Sequence, residues 1–239
     1  YVALPAGIVS GLTDFTIETW VRLSSTADWT RIFDFGSGTT VNMFLTPQNG
    51  VTDRVRFAIT TGGAGGEQQI NCNSVMSVGV WYHVAVTLSG SRGVLYLNGV
   101  PVGTNNAITL RPSNLGVTMN NYLGRSQYGA DPYLNATFDE FRIYSVALSA
   151  AEIAATYALG PDQVLSDANP ALSLAAAGGT LAFTWPLENA GFTLQSRTNL
   201  TEGDWVNVTS PVPQIVGGKW QVILPNPGDA PARFYRLVK

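Results

Sequence analysis

The chain has 239 residues, a formal net charge of −3 and only 12% charged residues, and no run of basic residues occurs, so nucleic acid has no electrostatic footprint here. Hydrophobic residues reach 45%, enough for a buried core, and no apolar stretch approaches the roughly 20 residues that membrane insertion needs. The lone cysteine, Cys72, and the lone histidine, His83, exclude an internal disulfide, a cysteine metal cluster and a multi-histidine zinc site.

Tyr1-Val2-Ala3-Leu4-Pro5 is strand-like and shows no signal-peptide pattern, so the chain reads as mature or trimmed. Phe15 to Leu23 alternates. Phe15, Ile17, Val21 and Leu23 fall on one face, and Glu18, Trp20 and Arg22 on the other. Further strands are predicted at 31–35, 42–46 and 54–60, and Gly-rich 61–66 is a loop. Tyr82, Val84, Val86 and Leu88 alternate with His83, Ala85 and Thr87. The chain then turns through 89–93 into Val94-Leu95-Tyr96-Leu97 and turns again at Asn98-Gly99, a strong hairpin signal. Strands at 121–126 and 137–144 follow.

One helix is predicted. Ser149-Ala150-Ala151-Glu152 is a capping box: the Ser149 hydroxyl accepts the third amide, and Glu152 reaches back to the cap. Gly160-Pro161 stops it. Residues 161–170 read as a linker between a first domain, 1–160, and a second, 171–239. Every basic residue before Pro161 is Arg, and both lysines come later, which fits two pieces of different ancestry. In the second piece Leu181–Trp185, Phe192–Ser196, Trp205–Val208, Trp220–Leu224 and Arg233–Leu237 are strand-like. The fold class is all-β: a two-sheet jelly-roll sandwich with one short helix, then a small immunoglobulin- or fibronectin-III-like sandwich.

Four motifs carry a resemblance: Phe15-Thr16-Ile17-Glu18-Thr19-Trp20-Val21, Trp81-Tyr82-His83-Val84-Ala85-Val86-Thr87, Leu95-Tyr96-Leu97-Asn98-Gly99 and Phe138-Asp139-Glu140-Phe141-Arg142-Ile143-Tyr144. The tail Ala147 to Ile153 completes them. In this order they resemble the laminin-G-like, concanavalin A-like jelly-roll modules of bacterial polysaccharide-degrading proteins. The resemblance implies a secreted or cell-surface location, frequent attachment to a glycoside hydrolase, and often a structural calcium ion. It does not name a ligand. Trp185 is placed like the core Trp of fibronectin-III folds, a looser match.

Glycosidases need two carboxylates flanking one bond. Asp139 and Glu140 are adjacent, and strict alternation sends them to opposite faces. Catalytic members of the superfamily carry Glu-x-Asp-x-x-Glu or Glu-x-Asp-x-Glu, and neither occurs here. No catalytic residue is assigned. The same alternation puts Asp139 beside Phe141 and Ile143, near the core, where a buried carboxylate needs a donor or a cation, so Asp139 is the metal candidate, for calcium. Sugar recognition uses aromatic faces and planar polar groups. Two clusters offer both: Asp28, Trp29 and Arg31, and the segment holding Asn121, Tyr122, Arg125, Gln127, Tyr128, Asp131 and Tyr133. His83 reads as a structural, hydrogen-bonded histidine, and Cys72 as a packed thiol. Trp20, Trp81, Trp185, Trp205 and Trp220 read as core residues. The expected function is non-catalytic binding of a polysaccharide or oligosaccharide, which tethers an adjoining enzyme to its polymer. The alternatives are a structural or adhesion module that binds a protein or cell surface, and an enzyme with an unfamiliar site.

Overall fold

Period-two alternation in a chain rich in β-branched and aromatic residues makes strands whose apolar sides must be buried together. The computed structural model describes residues 1–226, 228 and 232–239. It divides into two units, Tyr1–Ile153 and Ala154–Lys239.

The first unit has β1 (Val2–Leu4), β2 (Phe15–Leu23), β3 (Phe33–Gly36), β4 (Asn42–Thr46), β5 (Arg56–Thr60), β6 (Gln68–Asn71), β7 (Trp81–Ser89), β8 (Arg92–Leu97), β9 (Val100–Asn105), β10 (Asn120–Leu123) and β11 (Ala136–Tyr144). They form a six-stranded sheet, β1-β10-β3-β4-β5-β6, and a five-stranded sheet, β11-β2-β7-β8-β9. The first and last strands are neighbours or near neighbours in each sheet, the closure of a jelly roll. Directly paired residues share a face. Phe33, Leu45, Phe57 and Ile70 line up across the six-stranded sheet and enter the core with Phe15, Ile17, Val84 and Val86 from the other. Burying each such side chain stabilises by about 1.5–3 kcal/mol. Strand β6 has no forecast in the sequence, because its Gln-Gln-Ile-Asn offers one apolar residue, Ile70, to recognise it by.

The β11 edge departs from simple alternation. Asp139 pairs with Trp20 and Phe141 with Thr19, so Glu140 is an extra residue in a β-bulge. Its φ is 54°, and Thr19 Oγ1 donates to its carbonyl at 2.6 Å. The bulge resets the parity, so Phe138 and Phe141 both pack on the core. Asp139 therefore does not lie near the core with Phe141 and Ile143, as alternation predicts; it is exposed. Glu140 is exposed too, so opposite faces do not separate this pair.

The helix α1 (Ala150–Leu159) starts as its sequence requires. Ser149 N donates to Glu152 Oε2 at 2.8 Å, and Glu152 N donates to Ser149 Oγ at 3.2 Å. The division between the units falls inside this helix. The second unit has β12 (Ser173–Ala177), β13 (Thr180–Pro186), β14 (Thr193–Arg197), β15 (Val206–Asn207), β16 (Gln214–Val216), β17 (Lys219–Pro225) and β18 (Phe234–Val238). The sheets β12-β13-β17-β16 and β15-β14-β18 enclose Phe183, Trp185, Leu194, Trp220 and Val222.

Candidate functional site

The outer face of the six-stranded sheet carries a second cross-strand row: Tyr122, Asp34, Phe44, Ala58 and Gln69. Two loops lie against it. One enters β3 through Asp28 to Ile32, and the other joins β10 to β11. Strand pairing thus unites two clusters almost a hundred residues apart in sequence.

The first loop is held at Trp29, whose amide donates to Gln48 O at 2.9 Å and whose φ is 61°. Gly50 makes room for the indole: a Cβ there would lie 2.5 Å from Trp29 Nε1. Arg31 is buried beneath, its guanidinium carbon 4.1 Å from the Phe44 ring centroid. Its Nη1 donates to Trp29 O. Nη2 lies 3.1 Å from Asp131 Oδ2, and Nε lies 3.4 Å from Asp34 Oδ2. One guanidinium therefore ties the sheet to both loops.

The second loop is closed where Leu134 N donates to Gly124 O at 3.0 Å. Ser126 Oγ donates to Asp131 Oδ2 at 2.7 Å and accepts Tyr128 N at 3.0 Å. Gln127 N donates to Asp34 Oδ2 at 3.0 Å, while the Gln127 side chain bridges Gly38 N and Asn120 O. Tyr128 OH reaches Thr39 O at 3.3 Å. Burial dominates the electrostatics. It pushes the Asp34 carboxyl up to about 7 although Arg31 and the Gln127 amide oppose the rise. Burial also lowers Arg31 against its carboxylate neighbours, and it raises the Tyr128 phenol, with Glu67 adding to the rise.

Between the loops is a hollow of about 200 Å³ lined by Trp29, Arg31, Ala64, Glu67, Tyr128 and Asp131. Four of these are sequence candidates. Glu67 and Ala64 are not among them, since they come from the Gly-rich loop before β6. The signal was a solitary carboxylate, because Glu67 is the one acidic residue between Asp53 and Asp131.

The other candidates lie elsewhere. Asp28 is exposed and accepts Gln48 Nε2 at 2.7 Å, beside the hollow but not in it. Asn121 is a correction: it is buried on the core-facing side opposite Phe35, and its amide donates to Pro5 O and Thr118 O, out of reach of a surface ligand. Gln127 braces the loop. Tyr122, Arg125 and Tyr133 join Tyr1 in a separate cluster. Arg125 lies 4.8 Å from the Tyr1 centroid and 4.7 Å from that of Tyr122, and Tyr1 stacks on Tyr133 at 5.5 Å. Tyr1 and Tyr133 are about 60% exposed, at 63% and 60%.

Asp139 has lost the burial that made it a metal candidate, and among the described residues no group of three or more His, Cys, Asp or Glu is placed to hold an ion. Glu18, on the face of its strand opposite Phe15 and Ile17, is buried as well. It meets His83 Nε2 at 3.1 Å, Tyr144 OH at 2.9 Å and Arg142 Nη1 at 3.4 Å. Cys72 is a buried free thiol. Trp185 and Trp220 are core residues, but Trp81 is exposed and Trp205 lies on an outer face between arginines.

Comparison with known proteins places these features in context. The family model described as the concanavalin A-like lectin/glucanases superfamily matches residues 1–154. No curated protein sequence matches the chain. Domain 4 of AbnA, a GH43 extracellular arabinanase from Geobacillus stearothermophilus solved with arabinotriose, is similar at TM-score 0.56 and 22% identity, over 64% of this chain and 69% of that one. The CBM40 domain of the Ruminococcus gnavus IT-sialidase, bound to α2,3-sialyllactose, gives TM-score 0.52 and 18% identity, over 64% and 94%. The leech intramolecular trans-sialidase gives 0.54 and 17%, over 77% of this chain and 32% of that one. Likenesses at such identities establish the fold alone.

Proposed function

The chain belongs to the concanavalin A-like lectin/glucanase superfamily through residues 1–154, and from that premise we propose that its first unit is a non-catalytic carbohydrate-binding module of a secreted polysaccharide-active protein. The observation that carries this reading is the hollow between Trp29 and Tyr128. It combines two aromatic side chains with a guanidinium and two carboxylates, Arg31, Asp131 and Glu67. A sugar ring presents C–H faces to aromatic groups and hydroxyls to planar polar groups, and this lining offers both. At about 200 Å³ the hollow is small beside drug-sized pockets of roughly 300–1,000 Å³. It suits one sugar residue, a chain end or side branch, rather than a long run of polymer.

Charge narrows the ligand. Arg31 already faces Asp34 and Asp131, and Glu67 adds a further carboxylate. The guanidinium that lines the hollow is thus already committed to carboxylates, which favours a neutral sugar over an anionic one. The ligands bound in the similar structures supply two probes: arabinotriose, which is neutral, and sialyllactose, which is acidic. The neutral probe is the one expected to bind.

Glu67 and Asp131 both border the hollow, which also keeps a hydrolase reading open to test. Asp131 Oδ2 is committed to Arg31 and Ser126, which suits a bracing and binding role. The seven strands among the described residues of the second unit, with Trp185 in their core, support a fibronectin-III-like module that follows the binding unit in the chain.

A glycan array followed by calorimetry tests the proposal. Binding to a neutral glycan that weakens at least tenfold in Trp29→Ala and Tyr128→Ala is expected. No binding to any plant, algal or microbial glycan refutes it. Hydrolysis by the purified chain that stops in Glu67→Gln replaces it with the enzymatic reading.

A further inference from the structure

The outward face of the three-stranded sheet in the second unit has a chemistry unlike the hollow. Leu194 and Leu237 pair across β14 and β18 and belong to the core, so Gln195, Arg197 and Arg236 occupy the opposite face. Gln195 pairs with Arg236 on one side and Asn207 of β15 on the other. Trp205, two residues before Asn207, lies on the same face. The Arg197 and Arg236 guanidinium carbons lie 5.3 Å and 4.3 Å from its ring centroid.

Hydrogen bonds set these groups in place. Arg236 Nε donates to Gln195 Oε1 at 2.9 Å, and Gln195 Nε2 donates to Asn207 Oδ1 at 2.8 Å. Arg197 Nη2 donates to Glu202 O at 2.9 Å. Arg236 is exposed, and its two terminal amino groups are not used in these bonds. The strands β14, β15 and β18 contain no Asp or Glu. Arg236 thus faces outward and Arg197 lies half-buried beside it; their strands carry no carboxylate, although Asp204 borders the same hollow as Arg197 and Arg233, in a chain whose net charge is −3. The Arg236 guanidinium, 4.3 Å from the ring centroid, competes with a sugar ring for the indole. Charge is what this face offers. Guanidinium forks match carboxylate and sulfate oxygens, and planar amides beside them suit the intervening hydroxyls.

We infer that this face is a second glycan contact, for an anionic polysaccharide bearing uronate or sulfate groups. It is separate in chemistry from the neutral-sugar hollow and does not depend on it.

Affinity electrophoresis of the full chain tests the inference, with polygalacturonate, dextran sulfate or neutral dextran in the gel. Retardation by at least one polyanion and none by dextran is expected, and the two polyanions distinguish uronate from sulfate. Arg197→Gln/Arg236→Gln should weaken it by about tenfold or more. Arg236→Gln alone, at an exposed position, should give a partial loss without disturbing the fold. Trp29→Ala should leave retardation unchanged while weakening binding at the hollow at least tenfold, so the two readings fail separately. No retardation by either polyanion, retardation equal in the double variant, or loss shared with Trp29→Ala overturns the inference.

Discussion

Asp34 should make the first unit more stable as pH falls from neutral, the reverse of most paired carboxylates. It is fully buried, and burial holds its carboxyl at about 7 against an ordinary 3.8, with Arg31 only partly opposing. In the unfolded chain it titrates near the ordinary value. The folded state therefore holds the proton more tightly, and the contribution is fully present below about pH 3.8 and is lost as pH rises through about 7. The gap, at about 1.4 kcal/mol per pH unit, is worth about 4 kcal/mol in total, of which about 2 to 3 kcal/mol falls between pH 5 and pH 8. Other titratable groups also contribute to the pH dependence, so the measurement is a difference between two proteins. Asp34→Asn keeps an acceptor for Gln127 N but cannot ionise. Urea unfolding of both proteins at pH 5, 6, 7 and 8 should show the wild type losing about 2 to 3 kcal/mol relative to the variant across that range. Parallel curves would refute the reasoning. So would a wild type that gains on the variant as pH rises, for Arg31 would then hold Asp34 ionised.

Gly50→Ala should weaken glycan binding without removing any side chain from the hollow, because its methyl group would sit 2.5 Å from Trp29 Nε1 and must displace the indole; calorimetry with intact affinity would disprove the positioning role. Glu140, at φ 54°, should tolerate Gly with a change in unfolding free energy within about 1 kcal/mol, whereas the β-branched Val should cost about 1 to 2 kcal/mol. Equal stabilities would argue against the bulge. Asp139→Asn should leave the melting temperature unchanged with calcium or with chelator, since the side chain is exposed. A calcium-dependent rise in melting temperature that vanishes in Asp139→Asn would restore the metal reading.

Most strands were legible in the sequence because burial on one side of a sheet writes a period of two into the chain, as in Phe15–Leu23 and Trp81–Ser89. The helix start was legible because Ser149 and Glu152 satisfy each other's amides within three residues. Local chemistry also marked Trp29, Arg31, Tyr128 and Asp131 as side chains suited to a sugar. Nothing local marked the bulge at Glu140. An extra residue in a strand is defined by its partner strand, here by Trp20 and Thr19, and it inverted the faces assigned to Asp139. Nothing local separated Asn121, turned inward against Phe35, from Tyr122, turned outward beside Asp34. The hollow itself was decided by tertiary structure. Sheet pairing brings residues 29, 31, 67, 128 and 131 together, and buried Arg31 can hold them because two loops distant in sequence each supply a partner.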